Sequence, residues 1–204
     1  MPKRNLTRAA VVQAAADLLD ECTGAELKLA DLAARLGVRV PSLYNHIEGA
    51  DDLRAAIARF GTEELGRKLA HAAIGRSGED ALWAIADAYR AFAKARPGIY
   101  PLTLRAPSPD DVARIAASDA IIEVIKRVLE PFGLTDDETI HVIRGLRSLL
   151  HGFVSLELAG GFGLPFDVDV SFRRLISAFL TGLRKNANEA TTIGGGELGN
   201  GTRG

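Results

Sequence analysis

Apolar residues recur along this chain with the period of a helix almost everywhere. Val11, Ala14, Ala15, Leu18, Leu19 and Cys22 follow the i, i+3, i+4, i+7, i+8, i+11 spacing of one helical face, which Thr7 is suited to cap. Apolar neighbours make Cys22 core filler in this reading. Thr23 and Gly24 break the pattern. Leu29, Leu32, Ala33 and Leu36 predict a short second helix ending at Gly37, and Val40 or Pro41 opens a third that runs to about Ile47. After Gly49 a longer helix is expected over about 50–74. It opens with Asp51 and Asp52, carboxylates that match the positive end of a helix dipole.

The rest is also helical, with clear punctuation. Leu82, Ile85, Ala86, Tyr89, Phe92 and Ala93 form an apolar face before Pro97 and Gly98 stop it. A short helix or turn, "IYPLTLR", follows. Ser108-Pro109-Asp110-Asp111 reads as a cap, a first-turn proline and two acids, starting a helix that lasts to Glu130. Thr135 to Glu138 fits a capping box, and the helix it opens continues to Gly160-Gly161; the last helix spans roughly 168–186. No segment alternates apolar and polar residues long enough for a strand. The fold class is therefore all-α, with about nine helices. Residues 1–48 form a helix-turn-helix domain, 49–187 a second helical domain, and the glycine-rich 188–204 is expected to be a disordered tail.

Composition narrows the functional classes. The 204 residues are 47% hydrophobic and 25% charged, with a formal net charge of −1, so the chain as a whole does not advertise a polyanion partner. Nucleic-acid binding requires a local patch, for which Lys3, Arg4, Arg8, Lys28, Arg35 and Arg39 are available. No run approaches the roughly 18 apolar residues of a membrane span, and the amino end has no apolar signal core. With a single cysteine, the chain reads as cytoplasmic. The four histidines make no metal pattern: His141 and His151 stand about 80° apart around a helix. No phosphate loop, nucleophile elbow or zinc spacing occurs, so no cofactor, metal site or catalytic residue is expected. An all-α enzyme, or a helical dimer that binds only proteins, are the alternatives.

The stretch "GVRVPSLYNHI" carries the sharpest signal. In a helix-turn-helix the second helix of the pair lies in the major groove, its amino-terminal residues nearest the base edges. Gly37 can take the left-handed conformation of the turn. Leu43 and Ile47, at i and i+4, share a face and anchor the element. Arg39, Ser42, Asn45 and His46 are left for the groove, and Tyr44 offers a ring for thymine methyls and a hydroxyl for phosphate. A base contact by Arg39 or Asn45 is worth roughly 1 to 3 kcal/mol of discrimination. Lys3 and Arg4 sit on an arm ahead of the first helix, and Lys28 opens the second.

These segments, "LTRAAVVQAAADLLDE", "LADLAARLGVRVPSLYNHI" and "DDLRAAI", resemble the amino-terminal domain of the TetR/AcrR family of bacterial transcriptional regulators, whose Leu-Tyr-x-His is present as Leu43 to His46. "ARPGIYPLTLRAP" and "RSLLHGFVSLELAGGFGLPFDVDVSF" resemble the subgroup with a WHG-type ligand-binding domain. The resemblance implies DNA contacts at Lys28, Arg39, Pro41, Ser42, Tyr44 and His46, with Asn45 tuning specificity. It also implies a ligand-responsive repressor of a palindromic double-stranded DNA operator, released by a small-molecule effector. Many members have Thr where Lys28 stands and Lys where this chain has Ala50. Leu150, not Trp, precedes His151-Gly152.

The resemblance further implies a homodimer through the last two long helices. The sequence agrees, because Ile140, Ile143, Leu146, Leu149, Leu150, Phe153, Val154, Leu156 and Leu158 wrap more than one face. On that helix Arg147, His151 and Ser155 recur every four residues as a polar stripe, which needs a cavity, an interface or a satisfied network. With Tyr89, Phe92, Tyr100 and Leu104, Arg147 and His151 are the candidate effector contacts.

Overall fold

The computed structural model describes residues 6–22 and 26–194, with 186–194 described for their backbone. Every regular element among them is helical. In chain order these are α1 (Arg8–Glu21), α2 (Leu29–Leu36), α3 (Val40–Leu43), α4 (Ala50–Ala73), α5 (Gly78–Ala95), a 3-10 turn (Tyr100–Thr103), α6 (Val112–Leu129), a second 3-10 turn (Glu130–Phe132), α7 (Asp136–Leu158) and α8 (Val168–Gly194). Eight α-helices thus stand where about nine were expected, because "IYPLTLR" winds as a 3-10 turn.

The helix ends follow local chemistry. Thr7 accepts from the Ala10 N–H at 3.2 Å and caps α1. Thr135 and Glu138 form the reciprocal capping box that opens α7. Three boundaries differ from expectation. The acids before α6 make a turn, and Asp111, whose carboxylate accepts from the Arg114 N–H at 3.0 Å, is the cap in place of Ser108. Helix α8 runs to Gly194, past the expected end near 186; the remainder of the predicted tail lies outside the described residues. Helix α3 is a single turn, for a reason given below.

The molecule divides into two compact units. One comprises the residues up to Lys68 together with Ala91–Ile121; the other comprises Leu69–Arg90 and the chain from Ile122 onward. In the first, Val11, Ala15, Leu32, Leu43 and Ile57 are fully buried, joined by Phe92, Ile99 and Tyr100. The apolar face of α1 is rotated slightly from the expected one: Val12 and Ala16 are buried, Ala14 is half-buried, and Cys22 is exposed at the helix end, not core filler.

The second unit has its own core from Leu82, Ile85, Leu146, Val154, Phe172 and Ile176. Within it the Arg90 guanidinium pairs with Glu157 at 2.6 and 2.7 Å and with Asp169 at 2.7 Å. The Phe172 and Phe153 rings lie 4.7 and 5.6 Å from it. These bonds hold the Arg90 pKa above its ordinary value against burial. Removing one partner of such a pair leaves an uncompensated charge, so the network fixes α5 against the end of α7 and the start of α8.

Candidate functional site

The first unit builds one exposed polar turn on a rigid base. Gly37, at φ +67°, ends α2 in the left-handed conformation, and the Gly37 and Val38 N–H groups bond back to Ala34 and Ala33 carbonyls at 3.1 and 3.0 Å. Arg39 is extended. Pro41 then presets the first turn of α3, in which the Ser42 N–H bonds to the Arg39 carbonyl at 2.8 Å. The Leu43 carbonyl accepts from the His46 N–H, three residues on, at 2.8 Å and from the Ile47 N–H, four residues on, at 3.0 Å. Two N–H groups thus close on one carbonyl, so α3 proper is the single turn Val40–Leu43 and the predicted helical continuation to Ile47 is a hydrogen-bonded turn.

Leu43 and Ile47, 0% and 2% exposed, anchor this element as their spacing required. The opposite side presents Arg39, Pro41, Tyr44 and Asn45 to solvent, with Ser42 and His46 half-buried between them. Tyr44 is 54% exposed, so its ring face and hydroxyl are both open to a partner. Lys28 precedes α2 with an exposed side chain and no capping bond. Arg4, the remaining predicted DNA contact, and Lys3 lie outside the described residues.

Two of the arginines considered for the basic patch are bound up in structure. Arg8 donates to the His46 carbonyl at 2.6 Å and makes a two-pronged pair with Asp52 at 2.9 and 2.5 Å. The same carboxylate accepts from the Glu48 N–H at 2.9 Å. Arg8 therefore braces the end of this polar turn against the first turn of α4, and its bonds hold the Asp52 carboxyl below the usual carboxylate range. Arg35 is paired in the same fork with Glu21 at 2.6 and 2.8 Å. Neither role was read from the sequence, where both counted only as positive charge.

A second constellation joins the end of α1 to residues 96–100. The Asp20 carboxylate accepts from the Gly98 and Ile99 N–H groups at 2.8 and 3.2 Å. Arg96 reaches Asp17 at 3.1 Å, Asp20 at 3.0 Å and Glu64 at 3.6 Å, with the Phe60 ring 5.6 Å from its guanidinium carbon. The backbones touch so closely that a Cβ on Gly98 would fall 2.1 Å from the Leu19 carbonyl oxygen. "RPG" thus clamps α1 directly.

The candidate effector residues are distributed over both units. In the first, Phe92 and Tyr100 are packed into the core at 1% and 2% exposure, and Leu104 is half-buried. In the second, Tyr89 is buried, Arg147 is exposed, and half-buried His151 has its Nδ1 3.0 Å from the Ser155 hydroxyl, an i, i+4 link within the polar stripe. Among the described residues no group of three or more His, Cys, Asp and Glu side chains is gathered to hold a metal ion. None of the helices so described is long and apolar enough to cross a membrane.

Comparison with known proteins gives consistent results. Residues 82–179 match the family model for the tetracyclin repressor-like C-terminal domain. The chain is 37% identical over 186 residues to the helix-turn-helix-type transcriptional regulator YobS of Bacillus subtilis, covering 91% of this chain and 96% of that one. It is 32% identical over 191 residues to the regulator Rv0681 of Mycobacterium tuberculosis, covering 93% of this chain and 85% of that one. In fold it resembles a TetR variant of Acinetobacter baumannii solved with minocycline, at a TM-score of 0.68 and 20% identity, over 90% of this chain and 99% of that structure.

Proposed function

Because the chain belongs to the TetR family of DNA-binding transcriptional regulators, we propose that it acts as a repressor: a dimer on a palindromic operator, released by a small-molecule effector. Regulators of this family bind DNA and small molecules and act as dimers. The observation that carries the reading is the outward set Arg39, Pro41, Tyr44 and Asn45 on a turn whose other side is anchored by Leu43 and Ile47 and whose end is braced by Arg8.

In this reading Arg39 and Asn45 address base edges, Tyr44 and Ser42 the backbone or thymine methyls, and Lys28 and Arg4 the phosphates, with His46 at the rim. Two heads read half-sites roughly 34 to 36 Å apart or a related spacing. Dimerisation through α7 and α8 is supported by Leu156, Leu158, Phe166 and Val170, large apolar residues that stand exposed on or between those helices. In the second unit effector contact is assigned to Tyr89, Arg147 and His151, where the His151–Ser155 pair interrupts an apolar helix. An effector lowers operator affinity only by its preference for the DNA-incompetent form.

Selection of bound DNA from a genomic pool by purified protein, followed by gel shift, tests the reading. A palindrome is expected, and Arg39→Ala should weaken it by roughly 1 to 3 kcal/mol while relaxing preference at one base position. A complex indifferent to both Arg39→Ala and Tyr44→Ala would overturn the assignment.

A further inference from the structure

Large apolar side chains stand exposed at few places in this chain, and most of them are gathered at one. Of the nine so exposed among the described residues, six fall within 156–170, where α7 turns into α8: Leu156, Leu158, Phe162, Leu164, Phe166 and Val170. Leu164 and Phe166 are the most open, at 74% and 75%. Hydrogen bonds fix this corner from both ends. Gly160, at φ +68°, ends α7, and the Gly161 N–H bonds back to the Leu156 carbonyl at 2.7 Å. The Phe162 ring packs 4.8 Å from that of Phe153, and the Phe166 N–H closes around Pro165 on the Leu164 carbonyl at 2.8 Å. Asp167 caps α8 by accepting from the Asp169 N–H at 2.7 Å. An apolar tip held in place before contact loses little conformational freedom on contact.

Area and charge say what covers the corner. At roughly 200 Å² for a fully open large side chain, the six present on the order of 600 Å² of apolar surface. A standard protein interface takes roughly 800 Å² from each partner, so the corner supplies most of one side of a stable contact. Its three carboxylates are already engaged within the chain, Glu157 and Asp169 by Arg90 and Asp167 by the cap. A twofold contact presents the same patch from both subunits, so a patch with its charges answered internally can meet its own copy without repulsion. The helix faces beyond the corner are different. They expose Arg144, Ser148 and Gly152 on α7 and Arg173 and Arg174 on α8, with no exposed large apolar side chain among their described residues.

We propose that the α7–α8 corner is the centre of the contact between two copies of this chain, with Leu164 and Phe166 of each copy packed into the same patch of its mate. This contact rests on the dimer proposed above and lies at the connection between the two helices, not along their faces.

Two measurements on the purified full chain, without DNA, test it. Leu164→Ser combined with Phe166→Ser, both at exposed positions, should raise the dissociation constant of the dimer by about a hundredfold in sedimentation, with helix content unchanged by circular dichroism. Independently, a nitroxide label is placed on Gly163→Cys, where a Cβ meets nothing within 4 Å, and Cys22→Ser removes the only other thiol. The two labels of a dimer should lie within about 30 Å of each other, the width of a patch of roughly 800 Å². A double-serine variant that dimerises with the parent's affinity, or labels farther apart than this, would overturn the proposal and leave the dimer itself standing. A parent chain that sediments as a monomer at every concentration would overturn both.

Discussion

At the scale of single residues, the molecule depends on a few side chains and one missing Cβ. Arg8 is the brace of the recognition turn, and Arg8→Ala should cost about 1 kcal/mol of stability, since its side chain is 42% exposed and solvent screens the pair. The partner's titration gives a pH signature. The Asp52 carboxyl is depressed in the folded state by its bonds to Arg8, so its contribution is complete above the ordinary aspartate value of about 4 and is lost as pH falls through the lower folded value. Melting temperature followed from about pH 6 down to pH 2.5 should decline less steeply in Asp52→Asn than in the parent. An identical slope would refute the assignment. Gly98→Ala is a harsher change, because the new methyl meets backbone and not a yielding side chain. It should destabilise the chain by about 3 kcal/mol, read by denaturant unfolding, and increase amide exchange at the end of α1.

At the scale of elements, caps and faces decide what forms and what it touches. Thr135→Ala removes one half of the α7 capping box and should cost about 1 kcal/mol, measurable as a lower unfolding midpoint. That box, the Gly37 turn and the Leu43–Ile47 anchor were all legible in the sequence, because each depends on residues within four positions of one another. What could not be read was pairing across long separations. Asp17, Asp20 and Glu21 crowd the last turns of α1, the end where a helix dipole disfavours carboxylates, and this was the available sign that cations must come from elsewhere. Arg96 and Arg35 supply them, but nothing local says which arginines would be brought there. Helix α3 is shorter than its spacing predicts for a related reason: the i, i+4 relation of Leu43 and Ile47 is met equally by a continued helix and by a turn in which the Leu43 carbonyl takes both the His46 and Ile47 N–H groups. Type and spacing single out the six candidate effector residues, but spacing carries no information on whether an aromatic such as Phe92 lines a space or fills one.

At the scale of the whole molecule, the function proposed above requires a second copy. Sedimentation of the purified chain should give a species of twice the chain mass, and Leu156→Arg, at a position 53% exposed on α7, should weaken dimerisation by about tenfold or more and operator binding with it. A stable dimer in that variant would point the interface elsewhere. The ion pairs of the head have one more consequence, for the way the regulator experiences its surroundings. Arg8 and Arg35 neutralise carboxylates of their own chain, and α4 begins with the uncharged Ala50. Each phosphate neutralised by a protein cation releases condensed counterions and steepens the fall of affinity with salt by about 0.9 in logarithmic slope. With Arg8 and Arg35 paired to carboxylates, the phosphate contacts of the proposed complex fall to Lys28 and Arg4 of each head, four in the dimer. A gel-shift salt series on the proposed operator complex should then give a logarithmic slope of about 3.6, and the ionic strength of the cell becomes an input that sets how much of the operator is covered.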